Sequence, residues 1–158
     1  MEALPFDTYP NRGSEPFHLK KGYNTRLEDG PEFMRLTRQT ACAYCNSDFL
    51  GGYETWLTMA LDHVVPTSVC KEKNIPPEWA DDFSNMVLSC GACNGLRNRY
   101  TYIKSILLPL SRESFVEMRN CIFVERKDLI LAAREKERTE FHKLLREFKR
   151  TSPLGADS

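Results

Sequence analysis

The stretch "LSCGACNGLRNR", Leu88 to Arg99, sets two cysteines two residues apart and follows them directly with Asn94, Gly95 and a pair of arginines. A second pair of the same spacing, Cys42-Ala-Tyr-Cys45, lies upstream. Each tight turn can present two thiolates to two corners of a tetrahedron, so two such pairs point to a structural zinc ion. Thiol redox chemistry would instead ask for one Cys-x-x-Cys at a helix N-terminus within a βαβ pattern, which is absent around either pair. A plain zinc ribbon separates its pairs by about 15 to 20 residues, whereas 44 residues separate Cys45 from Cys90. The zinc would therefore fix the two ends of a hairpin, and the inserted residues become the place to look for function. Cys70 and Cys121 have no partner at ligand spacing and read as ordinary buried thiols.

The insert reads as two strands. "YETWLTMALDHVV", Tyr53 to Val65, is rich in aromatic and β-branched residues with partial alternation, and it stops at Pro66. "KEKNIPPEWADDFS" follows as a loop or one short helical turn, and "NMVLSC", Asn85 to Cys90, is a second strand running into the cysteine pair. From Asn94 to about Leu108, Leu96, Tyr100, Ile103 and Leu107 recur at helical spacing, leaving Arg97, Arg99 and Lys104 nearer solvent. Pro109 ends that helix. A further helix is predicted from about Glu125 to Arg150, its middle "REKERTE" charged all round and thus turned to solvent or to a partner.

Four prolines among residues 1 to 31 predict an extended arm packed on the core. The chain thus divides into an N-terminal arm (1–37), a central domain (38–108), a C-terminal helical extension (109–150) and a flexible tail (151–158).

With 158 residues, 41% of them hydrophobic and 28% charged, the chain can build one core. No apolar run approaches the roughly 18 residues that span a bilayer. The N-terminus "MEALPFDTYPNRGSEP" lacks a basic-then-apolar leader pattern. The expectation is a cytoplasmic protein without a membrane partner, whose reduced cysteines bind metal. The net charge of zero hides an asymmetry: residues 1 to 93 hold 8 basic and 13 acidic side chains, while 94 to 150 hold 14 basic and 8 acidic. The basic half begins just past the second cysteine pair, as a phosphate-binding surface would, although a solvated helix face has the same look.

Taken singly, Asp62, His63, Asn85 and Asn94 each have a bland reading as a strand-end carboxylate, a hydrogen-bonded histidine, a turn former and a cap. Together they are ordered otherwise. "CAYC", "LDHVVP" and "NMVLSCGACNGLR" resemble the His-Asn-His (HNH) endonuclease family, over about residues 38 to 105. The resemblance implies an α+β fold, a ββα-metal nuclease core stapled by zinc at Cys42, Cys45, Cys90 and Cys93.

By position it also implies roles. His63 matches the general base, Asp62 the acidic metal ligand beside it, and Asn85 the central asparagine that braces the loop and orients the histidine. Asn94 stands where the third motif residue is often His, so the chain is similar to the His-Asn-Asn variant, in which that amide oxygen ligates metal. Arg97 falls where the family commonly has Lys. The implied activity is metal-dependent hydrolysis of phosphodiesters in DNA, double-stranded DNA foremost.

These residue types suit that chemistry. An imidazole titrates near neutrality and can activate water, and a cation neutralises the charge developing on phosphate. With only Asp62 and Asn94 as protein ligands the ion would take water and phosphate oxygens, as Mg2+ or Mn2+ prefers. Arg97, Arg99 and Lys104 would hold the DNA backbone. Adjacent residues on a regular strand face opposite ways, so for Asp62 and His63 to converge the strand must end or bulge there. The alternative is a non-catalytic zinc-stapled module that binds nucleic acid or protein, and the last helix could build a homodimer.

Overall fold

The structure, a computed structural model, describes residues 3–10, 25–96 and 111–151. Its centre is a two-stranded antiparallel sheet, β1 (Met59–His63) against β2 (Met86–Cys90), with Met59 opposite Cys90 at one end and His63 opposite Met86 at the other. An isolated two-stranded ribbon is marginal in water. Here the free edge of β2 is occupied: the Gln39 side chain accepts from Leu88 N at 3.0 Å, and Ala43 N donates to Leu88 O at 2.9 Å. Tyr9 adds a hydroxyl to Met86 O at 2.7 Å.

In chain order the helices are α1 (Gly30–Thr37), α2 (Tyr53–Leu57), α3 (Thr67–Glu72), α4 (Pro77–Ala80), α5 (Gly91–Leu96) and α6 (Arg112–Thr151), with a single 3-10 turn at Pro5–Thr8 and another at Phe83–Asn85. The sequence pattern predicts a strand over Tyr53–Val65, but only Met59–His63 is extended. Residues 53–57 coil instead because Trp56 N reaches Gly52 O and the hydroxyls of Thr55 and Thr58 fold back on Gly52 O and Thr55 O. Such local bonds compete with a ladder. The strand stops at His63 because Val64 N and Val65 N turn to the backbone oxygen and side chain of Asn85, and Pro66 has no N–H to give.

The N-terminal segment also departs from a wholly extended arm. Gly30–Thr37 is a helix that starts with Pro31 in its first turn and ends at Arg38 in the left-handed conformation (φ 62°). Gly30 is required where it stands, since a Cβ there would come within 2.5 Å of Thr25 O and of the Met59 side chain.

The largest departure is α6, which begins at Arg112 rather than Glu125 and runs for 40 residues. Its first half is a packing face: Phe115, Met118, Ile122, Phe123 and Ile130 are buried in the core. Phe123 bridges two regions, meeting Phe6 of the N-terminal segment edge-on at 5.3 Å and stacking on Tyr44 at 5.5 Å. The polar residues between, Ser111 to Lys127, dilute this stripe in sequence, which is why the apolar spacing of Phe141 to Phe148 draws the eye first. That later stretch is exposed, with Phe148 at 69%. Among the described residues no helix is long and apolar enough to cross a membrane.

Candidate functional site

The first cysteine pair sits on a tight turn. Cys42 N bonds Ser47 O, Asn46 N bonds Cys42 O, and Asn46 takes the left-handed conformation (φ 60°) that closes the loop back on Asp48. The second pair spans the end of β2 and the first turn of α5. The four Sγ atoms of Cys42, Cys45, Cys90 and Cys93 lie within 4.8 Å of one another. A zinc ion about 2.3 Å from four sulfurs sets sulfur–sulfur edges of roughly 3.8 Å, and the Cys45–Cys90 separation is 3.8 Å. Donor type, number and spacing therefore fit zinc.

Backbone N–H groups are aimed at the sulfurs too, Cys90 N at Cys42 Sγ (3.3 Å) and Cys93 N at Cys90 Sγ (3.5 Å), as thiolates require. Arg134 of α6 adds a guanidinium 3.1 Å from Cys93 Sγ. Donation from Cys42 and Cys93 drives the Cys90 thiol well below its ordinary value, while contacts with Cys42 and Cys90 hold Cys93 high and Cys42 is pushed up to about 11, chiefly by Cys90.

Cys70 and Cys121 stand apart from this cluster. Cys70 is buried and its thiol is pushed up to about 11 by desolvation, as an inert core residue would be. Cys121, expected to be buried, is exposed: its neighbour Ile122 takes the core-facing position on α6 and turns Cys121 outward.

At the other end of the hairpin, Asn85 is fully buried and spans the turn after β1. Its amide nitrogen donates to Val65 O (3.1 Å) and Ala80 O (2.8 Å), and its amide oxygen accepts from Val65 N (3.0 Å). The Phe83–Asn85 turn that presents it is capped by Asp82, which accepts from Ser84 N at 2.9 Å.

The strand ends directly after Asp62 and His63, and the two side chains meet different partners. Asp62 is buried and its Oδ2 receives the Tyr44 hydroxyl at 2.6 Å and the Arg126 guanidinium at 2.8 Å. Desolvation, followed by the Asp62 charge, holds Tyr44 well above its ordinary value, so it remains a donor. His63 is partly exposed and faces Asp81, with Nε2 3.6 Å from Asp81 Oδ1. Desolvation keeps the imidazole below its ordinary value of 6.5 against the opposing pull of the Asp81 and Asp62 carboxylates.

Asn94 lies in α5, a helix packed on both strands and on α6; it is partly buried. Arg97, Arg99 and Lys104, and the rest of the helix predicted to reach Leu108, lie outside the described residues.

Two groups at this end go unread in the sequence. Asp81 hides in "ADDFS", where a turn-forming carboxylate is the ordinary interpretation. Arg126 is one of three arginines of α6 spaced by seven, Arg112, Arg119 and Arg126. That period was the available signal.

Compared with known families, residues 42–99 match the HNH endonuclease family model. The chain carries an HNH domain. The matched segment holds both cysteine pairs, β1, β2 and α5, so the hairpin and its sulfur clasp are the HNH core, an α+β unit. Everything contributed by α6 and the N-terminal segment stands outside the match. Curated proteins and solved structures gave no match to the chain.

Proposed function

We propose that the protein is a metal-dependent DNA endonuclease. One observation carries this reading: the HNH match covers the segment in which His63 ends a strand, partly open to solvent, directly beside a turn braced by Asn85. In it His63 is the general base, kept neutral at physiological pH by its burial and flanked by Asp81. Asn85 fixes the turn that aims the imidazole. Asp62 and the Asn94 amide would hold Mg2+ or Mn2+, which would neutralise charge on the phosphate when bound. Both hydrogen bonds to Asp62 land on Oδ2, which leaves Oδ1 as its ligand atom. Arg97, Arg99 and Lys104 would grip the backbone of double-stranded DNA, and the cysteine cluster would hold zinc as a structural ion.

One observation favours a second reading, a zinc-stapled module that binds without cutting: Asp62 is already in a buried ion pair. Plasmid nicking separates the two. Cleavage should require added Mg2+ or Mn2+, stop in EDTA, and fall by at least about 10³-fold in His63→Ala while zinc content and folding are kept. Equal nicking by wild type and His63→Ala would exclude His63 as the base, and no nicking by either would favour the binding module.

A further inference from the structure

Four arginines of α6 reach down onto the hairpin. Arg112 pairs with Asp82 at 3.2 Å, Arg119 donates to Ser84 O at 2.6 Å, and Arg134 approaches Cys93 Sγ at 3.1 Å. Arg126 is set where the chain leaves β1. Its Nη1 donates to His63 O (2.7 Å) and Val64 O (2.8 Å), and its Nη2 pairs with Asp62 Oδ2 (2.8 Å). The residue is 1% exposed, so it has no access to a DNA phosphate.

A buried ion pair is poor value as a source of stability, because desolvation offsets most of its attraction. Arg126 also carries an Nε with no partner. What the arrangement does supply is orientation. A planar, rigid fork binds three acceptors at fixed angles, which a flexible ammonium cannot do. Two consecutive carbonyls are pinned, so the backbone that carries His63 cannot rotate freely at its C-terminal side. The Asp62 carboxylate is pinned as well, with Tyr44 on the same oxygen, so that its other oxygen is the one left to face a cation.

We propose that Arg126, on a helix outside the HNH match, is a positioning residue of the active site: it fixes the direction of the His63 backbone and selects which oxygen of Asp62 is offered to the metal. This inference rests on the nuclease reading. It makes α6 a working part of the site, since a displacement of about 1 Å at a reacting group can cost on the order of 10²-fold in rate.

The test uses the full zinc-loaded chain. Arg126→Lys keeps the positive charge but not the fork, and Arg126→Met removes both. In each, zinc content and thermal melting report the fold, and kcat and KM are measured on plasmid DNA with Mg2+. The expected result is a kcat lower by at least about tenfold in Arg126→Lys and about 10²-fold in Arg126→Met, with KM within about twofold, because Arg126 does not touch DNA. Partial recovery of Arg126→Met by free guanidinium ion would support the same conclusion. Folded variants with wild-type kcat, or a loss confined to KM, would overturn it.

Should neither variant fold, arginine side-chain NMR of the wild-type chain decides. Saturating Mg2+ should move the Arg126 guanidinium signals together with the Asn94 amide; an Asn94 response without an Arg126 response overturns the proposal. A chain that shows both responses yet cuts no DNA would sink the nuclease reading alone, and a chain with neither response nor cleavage would sink both.

Discussion

At the Met59–Cys90 end of the hairpin, the four sulfurs come from two short turns, and each turn is shaped by bonds within a few residues. At the His63–Met86 end, the surroundings of the histidine come from across the chain: Asn85, from the turn before β2, bonds Val65; Asp81, at the end of α4, stands 3.6 Å from Nε2; and Arg126 of α6, 63 residues away, binds the His63 carbonyl. One end is built from local geometry and the other from tertiary contact. The same helix serves both, since Arg126 and Arg134 lie about 12 Å apart along α6, close to the roughly 14 Å that the five residues of β1 span. The clasp takes one guanidinium from α6, whereas the histidine end takes from it the brace on both the His63 and Val64 carbonyls and on Asp62.

The sharpest way to break this contrast is at the cysteines. Cys90→Ser should take zinc from about one ion per chain to near zero and melt the hairpin, because a structural zinc contributes about 10–16 kcal/mol in small metallodomains, comparable to a whole domain's stability. Retention of zinc and of a cooperative melt would show that the sulfurs are not a ligand set.

Asn85→Ala attacks the opposite end. It strips Val65 and Ala80 of three hydrogen bonds and should cost about 2–4 kcal/mol, or roughly 5–15 °C in Tm. Zinc content should not change, and a variant that lost its zinc would show that the two ends are one cooperative unit.

Smaller effects sharpen the picture of α6. Iodoacetamide should modify exposed Cys121 well before buried Cys70, whose raised thiol value also slows it; peptide mass analysis over time reads the order. Phe148→Ser, in the exposed half of the helix, should leave Tm within about 1 °C. A larger loss that also depends on protein concentration would mean that this half meets a second copy.

The legible part of the site follows the same division. Two Cys-x-x-Cys pairs, "LDHVVP" and Asn85 can be read directly, because zinc turns and a strand that ends near proline are decided by neighbours in sequence. The strand's true start was not legible: the Thr55 and Thr58 hydroxyls outweigh the β-propensity of the aromatic residues around them. The helix before Glu125 was hidden because its buried face is interrupted by arginines, which look like solvent-facing residues until their partners are known.

The amino-acid sequence by itself determined the clasp, the HNH hairpin and the histidine at its tip, since each depends on spacing along the chain. Only the tertiary structure decided that Asp62 bonds Arg126 and Tyr44, and that Asp81 stands beside the imidazole. Those choices turn on which charges are brought together by chain closure over tens of residues, and desolvation makes them strong only once the fold has excluded water.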